Sequence, residues 1–324
     1  MASSLLVVDS ALVAGSLEEH IRGLLNTHSA RGVLTGLSGG IDSGVLATLA
    51  VRALGKDRVH VCYLYDRDSD EELAQSARVL ARWLGLELEV RDIEPAMQAR
   101  GVYNALAGWA RGASGASRYL FSKLYTWIFG ESPFMSSLRR GRDPRRGLKQ
   151  RVYGATVGAV EAGFDARHIY RRELLERQAR DHNWLLMGAA NRSEYLVGWF
   201  VKGGIDDPAA SMGQGRLLVF SPLIGLYKTQ VRQLAAYLGI PAQVQAQAPS
   251  PDMMNGLTDE FALGIGYWKL DIVLDGIERG LPDEEMAAAG VNEKEIRHVR
   301  QMNRLSSWKR GSRTSMGQGR LRAC

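Results

Sequence analysis

The feature that most constrains this chain is a run of small residues between two apolar segments, Thr35-Gly36-Leu37-Ser38-Gly39-Gly40-Ile41-Asp42-Ser43-Gly44. The pattern predicts a strand over 33–37 before the run and a helix over 45–54 after it. Glycines let the backbone take positive φ and approach a ligand closely, and the first amides of the helix have no partner within it. Because the helix dipole also favours negative charge there, the turn is typical of a phosphate site.

The side chains of this run narrow the chemistry further. Ser38 and Ser43 add hydroxyl donors, whereas Asp42 puts a carboxylate where a phosphate would lie. Two anions share such a place when a divalent cation lies between them, so we expect Mg²⁺ beside the phosphate. The run lacks the Lys-Ser/Thr pair of a Walker A loop and the spacing of a dinucleotide turn. It resembles the Ser-Gly-Gly-x-Asp-Ser loop of the ATP pyrophosphatases, and a turn that merely connects strand and helix would not require six motif positions in register.

Composition indicates an ordinary globular chain. Of the 324 residues, 45% are hydrophobic and 23% are charged. The longest apolar stretches are interrupted well before about 18 residues, and the N-terminus lacks the basic region of a secretory signal, so we expect no membrane span and a cytoplasmic protein. Cys62 and Cys324 form neither a disulfide framework nor a Cys-x-x-Cys pair.

The basic character of the chain is local. The formal net charge is +6, and residues 139–151 contain seven Lys or Arg against one Asp, so the remainder is formally neutral. A basic chain as a whole would suggest nucleic acid as a partner, but one basic segment is weak support for it. Nucleic acid is therefore an unlikely partner on charge alone.

Strand and helix patterns alternate over most of the chain. Apolar runs predict strands at 33–37, 59–65, 86–93, 184–188 and 217–220, and helical spacing predicts helices at 11–28, 45–54, 68–83 and 167–182 and one beginning at 226. This alternation predicts an α/β fold with a parallel sheet and helices on both faces. Ligands of such folds bind at the carboxyl ends of the strands, where the 35–44 run is expected to lie.

The segment 101–166 breaks this rhythm. It combines Gly/Ala/Ser turns, an aromatic run between Tyr119 and Phe129, and the whole basic cluster. Because it is too long for an ordinary connection, we expect it to be functional or mobile, and we interpret its aromatics as helix packing rather than base stacking. A heptapeptide, Ser-Met-Gly-Gln-Gly-Arg-Leu, occurs at 211–217 and again at 315–321 without implying a solenoid.

Six blocks in order resemble the ammonia-dependent NAD synthetases. They are Ser38 to Ser43, Gly188 to Glu194, Phe200 to Asp206, Pro222 to Lys228, Pro249 to Asp252 and Thr258 to Gly264. The resemblance implies a Rossmann-like, adenine nucleotide alpha hydrolase-like domain over 1–310, with a divergent insertion at about 101–166 and a polar basic tail at 311–324. It also implies a homodimer that uses ATP and Mg²⁺ to adenylate nicotinic acid adenine dinucleotide, after which ammonia displaces AMP to give NAD.

The resemblance also assigns roles residue by residue. Asp42 and Glu194 would hold Mg²⁺, and Asp42, Lys202 and Lys228 would be catalytic, the lysines neutralising phosphate charge. The residues expected to bind ATP are Leu37, Ser38, Gly39, Gly40, Asp42, Ser43, Ala189 and Ser250. Those expected to bind substrate are Arg171, Lys202, Asp206, Asp207 and Asp252.

Three departures from the family pattern bear on the acceptor. Ala189 stands where the family has threonine, residues 166–172 echo the Lys-Ala-Arg-x-Arg-Met helix only loosely, and residues 101–151 replace a segment that helps the family bind the dinucleotide across the dimer. Adenylation is therefore better supported than the identity of the acceptor, and a different carboxylate stays open. Without a glutaminase domain in the sequence, ammonia would be free or supplied by a separate partner.

Two other classes of function compete with this interpretation. A tRNA-modifying ATP pyrophosphatase would use the Arg-rich segment to bind phosphates, but thiolation chemistry usually needs paired reactive cysteines, and here one cysteine lies in a predicted strand and the other at the last position. A nucleotide-binding module without catalysis would have little need for two carboxylates, Asp42 and Glu194, facing a phosphate loop.

Overall fold

A parallel sheet organises the fold. The computed structural model describes residues 6–105, 115–139, 147–207, 217–250 and 257–310. The strands in these ranges are β1 (Gly32–Gly36), β2 (Val59–Tyr65), β3 (Leu88–Asp92), β4 (Trp184–Met187) and β5 (Val219–Phe220). They lie in the order β3-β2-β1-β4-β5, and every neighbouring pair is parallel. The predicted α/β class is thus confirmed.

The strand order reverses between β1 and β4. From β1 the chain moves outward to β2 and β3, then returns to place β4 on the other side of β1 and β5 beyond it. Connections that leave two neighbouring parallel strands in opposite directions open a crevice at their carboxyl ends. The run after β1 and the residues after β4 both enter this crevice.

Helices surround the sheet. In chain order they are α1 (Ser10–Thr27), α2 (Ile41–Leu54), α3 (Glu71–Leu84), α4 (Glu94–Ala99), α5 (Val102–Ala105), α6 (Gly115–Phe129), α7 (Pro133–Leu138), α8 (Leu148–Ala155), α9 (Val157–His182), α10 (Arg192–Val197), α11 (Lys228–Tyr237), α12 (Ala242–Gln245), α13 (Asp259–Leu263), α14 (Tyr267–Arg279), α15 (Asp283–Ala288) and α16 (Glu293–Leu305). None of the helices in the described ranges combines the length and the apolar composition that a membrane-spanning helix needs.

Alternation along the strands distributes the core over both faces of the sheet. Val33 packs into the cluster formed with α1, α2 and α11, whereas its neighbour Leu34 packs into the cluster on the α9 face. Likewise, Cys62 packs into the cluster on the α9 face and Tyr63 into the cluster on the opposite face. Since successive side chains of a strand point to opposite faces, a sheet covered on both sides needs the nearly continuous apolar runs seen in this sequence.

A third apolar cluster lies beyond the carboxyl edge of the sheet. It is formed by buried residues of α7, α10, α14, α15 and α16, among them Met135, Val197, Val273 and Met302. This helical layer packs against the residues that follow β4 and against the start of α11. It therefore stabilises the helix ends at the crevice.

The structure lengthens the helices predicted at 45–54 and 167–182, whereas it shortens the strands predicted at 86–93 and 217–220 to Leu88–Asp92 and Val219–Phe220. Residues 59–65 form β2 as predicted, and α9 ends at the predicted residue 182 but begins at Val157, ten positions before the predicted start. Glycines at 158 and 163 weaken the local helical signal, and tertiary packing overrides it. Where it is described, the irregular segment 101–166 is largely helical, comprising α5 to α8 and the first turns of α9.

Candidate active site

The loop after β1 has a backbone that requires glycine. Gly39 has φ +84°, and a Cβ added there would lie 2.0 Å from the carbonyl oxygen of Leu73. Gly40 is the N-cap of α2. The loop therefore passes tightly under α3 and directs the free amides of α2 into the crevice.

Two serines close this loop. The Oγ atoms of Ser38 and Ser43 are 3.1 Å apart, Ser38 Oγ accepts from the Gly40 amide at 3.3 Å, and Ser43 Oγ donates to the Gly40 carbonyl at 3.0 Å. Both serines line the cavity described below. Their hydroxyls are thus positioned by the turn and directed to the same place as the helix amides.

Two helix N-termini bring carboxylates to the loop. Asp42 lies in the first turn of α2, and Glu194 lies in the first turn of α10. Asn191, the N-cap of α10, accepts from the Glu194 amide and donates its own amide to Asp42 Oδ1 at 3.1 Å. This one side chain ties the end of β4 to the end of β1.

A buried lysine joins the two carboxylates. Lys228 is the first residue of α11 and is 2% exposed. Its Nζ donates to Asp42 Oδ2 and, at 3.2 Å, to Glu194 Oε1. Burial by itself would lower the pKa of Lys228, but the carboxylates of Asp42, Glu194 and Asp259 raise it well above its usual value. The ammonium is therefore charged at neutral pH.

A third carboxylate, Asp259, completes the cluster. The hydroxyl of Tyr267 donates to Asp259 Oδ2 at 2.9 Å and contacts Glu194 Oε1 at 3.5 Å, whereas Asp259 Oδ1 is buried without a hydrogen-bond partner in the described chain. Burial and the neighbouring carboxylates raise the pKa of Glu194 to about 8, against the opposing charge of Lys228. Asp259 lies in the sequence block Thr258 to Gly264, but no role was predicted for it.

Hydrogen bonds to one helix hold the cluster in place. Asp271, a buried residue of α14, accepts from Ser193 Oγ at 2.5 Å and from the Thr229 amide at 2.8 Å. Ser193 Oγ in turn accepts from the Lys228 amide at 2.8 Å. The N-termini of α10 and α11 are thus fastened to each other and to α14.

A cavity of about 720 Å³ opens from the cluster. One wall is formed by the loop and the strand ends, another by one face of α9, and a third by α6 and α7. On the α9 face, burial together with the charges of Arg171 and Lys309 lowers the pKa of His168 to about 3, so its imidazole is neutral. Burial and the charge of Asp42 raise the pKa of Asp206, which also lines the cavity, to about 6.

Most of the predicted site residues meet in this cavity. Its lining includes Leu37, Ser38, Asp42, Ser43, Arg171, Ala189, Glu194, Asp206 and Ser250. Lys228 lies behind Asp42 and Glu194, and Gly39 and Gly40 form the loop itself. Lys202 is exposed and outside the lining, whereas Asp207 is buried and accepts from the Gly203 amide at 2.8 Å, which closes the 203–207 turn. Asp252, the first heptapeptide copy up to 216, the second copy and most of the basic cluster lie outside the described residues.

The carboxylate oxygens of the cluster provide some of the ligands that Mg²⁺ requires. Asp42 and Glu194 offer carboxylate oxygens, the ligands that Mg²⁺ prefers, and Asp259 Oδ1 has no donor of its own. Within the described ranges, no group of three or more His, Cys, Asp or Glu side chains is arranged to hold a metal unaided. Mg²⁺ commonly uses one or two carboxylates and completes its shell with water and substrate phosphates, which agrees with this arrangement.

Fold and site together define an α/β chain of the adenine nucleotide alpha hydrolase-like class. The sequence profile of the family described as NAD synthase matches residues 13–106 and 143–312. The NH(3)-dependent NAD(+) synthetase of Thermotoga neapolitana is 34% identical over 273 residues, covering 83% of this chain and 86% of that protein. The enzyme of the same name from Hyperthermus butylicus is 32% identical over 311 residues, covering 95% and 91%. The chain therefore belongs to the NAD synthase family, and it is an NH3-dependent NAD synthetase-like ligase.

Solved structures agree on the fold. The NMN synthetase from Francisella tularensis superimposes with a TM-score of 0.64 at 21% identity, over 94% of this chain and 98% of that one. The NH3-dependent NAD synthetase from Campylobacter jejuni gives a TM-score of 0.60 at 19% identity, over 94% and 96%. The family profile leaves residues 107–142 unmatched, and this part includes all of α6 and α7, which line the cavity.

Proposed function

We propose that this protein joins ammonia to the carboxylate of nicotinic acid adenine dinucleotide, with cleavage of ATP to AMP and pyrophosphate, to give NAD. The observation that carries the proposal is the meeting of Asp42, Glu194 and Lys228 at the glycine loop, beside a cavity of about 720 Å³. Family membership supports the reaction class. Free ammonia, or ammonia from a separate partner, would supply the nitrogen, and we also infer a cytoplasmic homodimer.

The loop and the cluster would bind the triphosphate. Backbone amides at Gly39 and Gly40 and the hydroxyls of Ser38 and Ser43 would hold the β and γ phosphates, because the start of α2 presents unpaired donors there. Asp42 and Glu194 would hold Mg²⁺, which neutralises phosphate charge when bound. Lys228 adds a positive charge to the cluster behind these carboxylates, which helps to balance the charge of the leaving pyrophosphate. Ala189 and Ser250 line the cavity where the adenosine half would lie.

The cavity wall would position the acceptor. An acceptor carboxylate oxygen attacks the α phosphorus, the bond to the bridging oxygen of the β phosphate breaks, and pyrophosphate leaves. Arg171 lies on this wall and donates to the Leu64 carbonyl at 3.2 Å, which orients its guanidinium. With acceptor and nucleotide bound between these walls, the acyl-adenylate would be shielded from water until ammonia enters.

Asp206 is the candidate proton acceptor for the second step. Ammonium must lose a proton before nitrogen can attack the acyl carbon, and AMP then leaves. With a pKa of about 6, the Asp206 carboxyl is ionised at neutral pH, so it can attract ammonium and receive a proton inside the cavity. Lys202 and Asp252 keep their proposed roles toward substrate phosphates and substrate.

A second acceptor, nicotinic acid mononucleotide, has a specific observation in its favour. The wall formed by α6 and α7 lies where the family profile does not match, so the part of the cavity that would accept the second nucleotide departs from the family profile. One structural neighbour is named an NMN synthetase. The same adenylation machinery with this shorter acceptor would give NMN.

One assay tests both acceptors. Pyrophosphate release and amide formation are measured with ATP, Mg²⁺ and ammonium on each acceptor in parallel. We expect NAD formation to have the larger kcat/KM, whereas exclusive NMN formation would replace the main proposal by the second.

Asp42→Asn should lower kcat by at least about 100-fold, because a charge-stabilising contact is lost. The matched control, Asp57→Asn, changes an exposed aspartate beyond the site and should retain activity.

A further inference from the structure

Lys228 holds the carboxylates that the proposed function gives to the metal. Its ammonium donates to Asp42 Oδ2 and to Glu194 Oε1, and the other oxygen of Asp42 accepts from Asn191 at 3.1 Å. Both oxygens of Asp42 are therefore engaged. A divalent cation at Asp42 and Glu194 would lie beside the Lys228 ammonium, and repulsion between the two positive charges favours departure of the ammonium, whereas Asn191 is neutral and fixed as the N-cap of α10.

The ammonium has a second acceptor within the same cluster. Asp259 Oδ1 is buried and has no hydrogen-bond partner among the described residues, and such an atom carries an uncompensated desolvation cost. The Tyr267 hydroxyl contacts both Asp259 and Glu194, and Lys228 Nζ lies 5.1 Å from the centre of the Tyr267 ring. A lysine has a flexible four-carbon side chain, so its ammonium can move over this ring while α11 stays in place.

We propose that Lys228 is an exchangeable counter-ion, which pairs with Asp42 and Glu194 until a divalent cation takes its place and then turns toward Asp259 Oδ1. This inference rests on the proposed function, because that function places the cation at Asp42 and Glu194. Its consequence is that a metal without nucleotide binds weakly, since it must first separate a buried ion pair. Nucleotide and metal therefore enter the site together.

Manganese binding without nucleotide tests the exchange. Free Mn²⁺ is followed by its electron paramagnetic resonance signal while protein is titrated with the metal. In Lys228→Met, both carboxylates lose their competitor, so Mn²⁺ should bind at least about tenfold more tightly than to wild type, the equivalent of about 1.4 kcal/mol. Lys228→Gln keeps a hydrogen-bond donor without the charge and should show the same direction. Lys56→Met, which removes an exposed charge before β2, is the matched control. Unchanged or weaker Mn²⁺ binding in both Lys228 variants overturns the proposal.

A double-mutant cycle tests whether the Lys228 ammonium moves toward Asp259. Asp259→Asn should weaken Mn²⁺ binding in the wild-type background, because the displaced ammonium loses its acceptor. In the Lys228→Met background the same substitution should have at least about a threefold smaller effect, since no ammonium needs relocation. Equal effects in both backgrounds would show that Asp259 acts by its charge or as a direct ligand, and the movement toward it would be refuted.

A nucleotide complex distinguishes failure of the proposed metal role from failure of the lysine exchange alone. Wild-type protein is titrated with Mn²⁺ in the presence of α,β-methylene ATP, which cannot be cleaved between those phosphates. Tight binding is expected. If Mn²⁺ does not bind even then, the metal role in the proposed function fails and this inference fails with it. If it binds, but the Lys228 variants do not tighten binding without nucleotide, the exchange alone is refuted.

Discussion

Gly39 shows how one residue can be indispensable to the site. Its positive φ is accessible to other residues at a modest cost, but the carbonyl of Leu73 lies where a Cβ would be. The sequence motif indicated a glycine for conformational freedom. It could not indicate the closeness of α3, because that contact depends on how the helix packs over the loop.

We expect Gly39→Ala to lower both stability and ATP affinity. The added methyl overlaps backbone that cannot move cheaply, so the free energy of unfolding should fall by more than about 3 kcal/mol. Gly280→Ala is the matched control, because Gly280 also has positive φ but open space around it, and its cost should be about 1 kcal/mol. Urea unfolding of both variants makes the comparison. Equal losses would show that backbone conformation, not the contact with Leu73, makes Gly39 necessary.

Single residues also mark the limit of sequence reasoning. The motifs named Asp42, Glu194 and Lys228, and the structure brings the three together. Asp259 and Tyr267 were not assigned, although the Thr-Asp-Glu block that contains Asp259 was a signal that could have raised the question. Lys202 carried a motif signal as strong as that of Lys228, yet it lies exposed and outside the cavity lining.

At the scale of elements, α14 acts as a brace for two helix N-termini. Asp271 accepts hydrogen bonds from Ser193 on α10 and Thr229 on α11. About two turns further along α14, Glu278 accepts from Arg192 and from the Tyr227 hydroxyl at 2.6 Å. Buried hydrogen-bonded carboxylates of this kind specify one arrangement, because removing either partner leaves polar atoms unsatisfied.

The brace predicts a pH dependence of stability. Burial raises the pKa of Asp271 to about 6, and the bonds from Ser193 and Thr229 oppose this. Between the unfolded value, about 3.9, and about 6, the folded protein keeps a proton that the unfolded chain has lost. The contribution of Asp271 to the free energy of unfolding should therefore fall, by roughly 2 kcal/mol, as pH rises through this range, and stay constant above it.

Asp271→Asn tests this dependence, because asparagine does not ionise. Urea unfolding at about pH 4 and pH 6.5 should show a smaller decline in the variant than in the wild-type protein. Asp57→Asn, at an exposed position, should follow the wild-type protein. Parallel declines in wild type and Asp271→Asn would contradict the assignment of this pH dependence to Asp271.

At the scale of the whole molecule, α6 exposes an unusual amount of apolar surface. Trp127 is 83% exposed and Leu120 is 68% exposed, while Phe121 and Thr126 of the same helix line the cavity. Contiguous apolar side chains on a surface commonly mark a protein interface. This supports the proposed homodimer with α6 as the proposed interface, and the same helix also lines the site.

We expect the wild-type protein to sediment as a dimer and Leu120→Glu/Trp127→Glu to sediment as a monomer. Two buried carboxylates without partners oppose association strongly. Leu12→Glu, which changes an exposed leucine of α1 that is 57% exposed, is the control and should stay dimeric. Sedimentation velocity over a range of concentrations makes the measurement. A monomeric wild-type protein, or a dimeric double variant, would exclude α6 as the interface.

The sequence by itself determined the α/β class, the sheet's apolar strands, the phosphate-type loop and the reaction family. These depend on local patterns, namely alternation, helical periodicity and glycines at a strand-to-helix turn. Tertiary structure alone decided that residues spread from Asp42 to Asp259 share one cluster, that Lys228 rather than Lys202 joins it, and that 115–138 forms a helical cavity wall. Sheet order and helix packing set these distances, because groups far apart in the chain meet only when the core assembles.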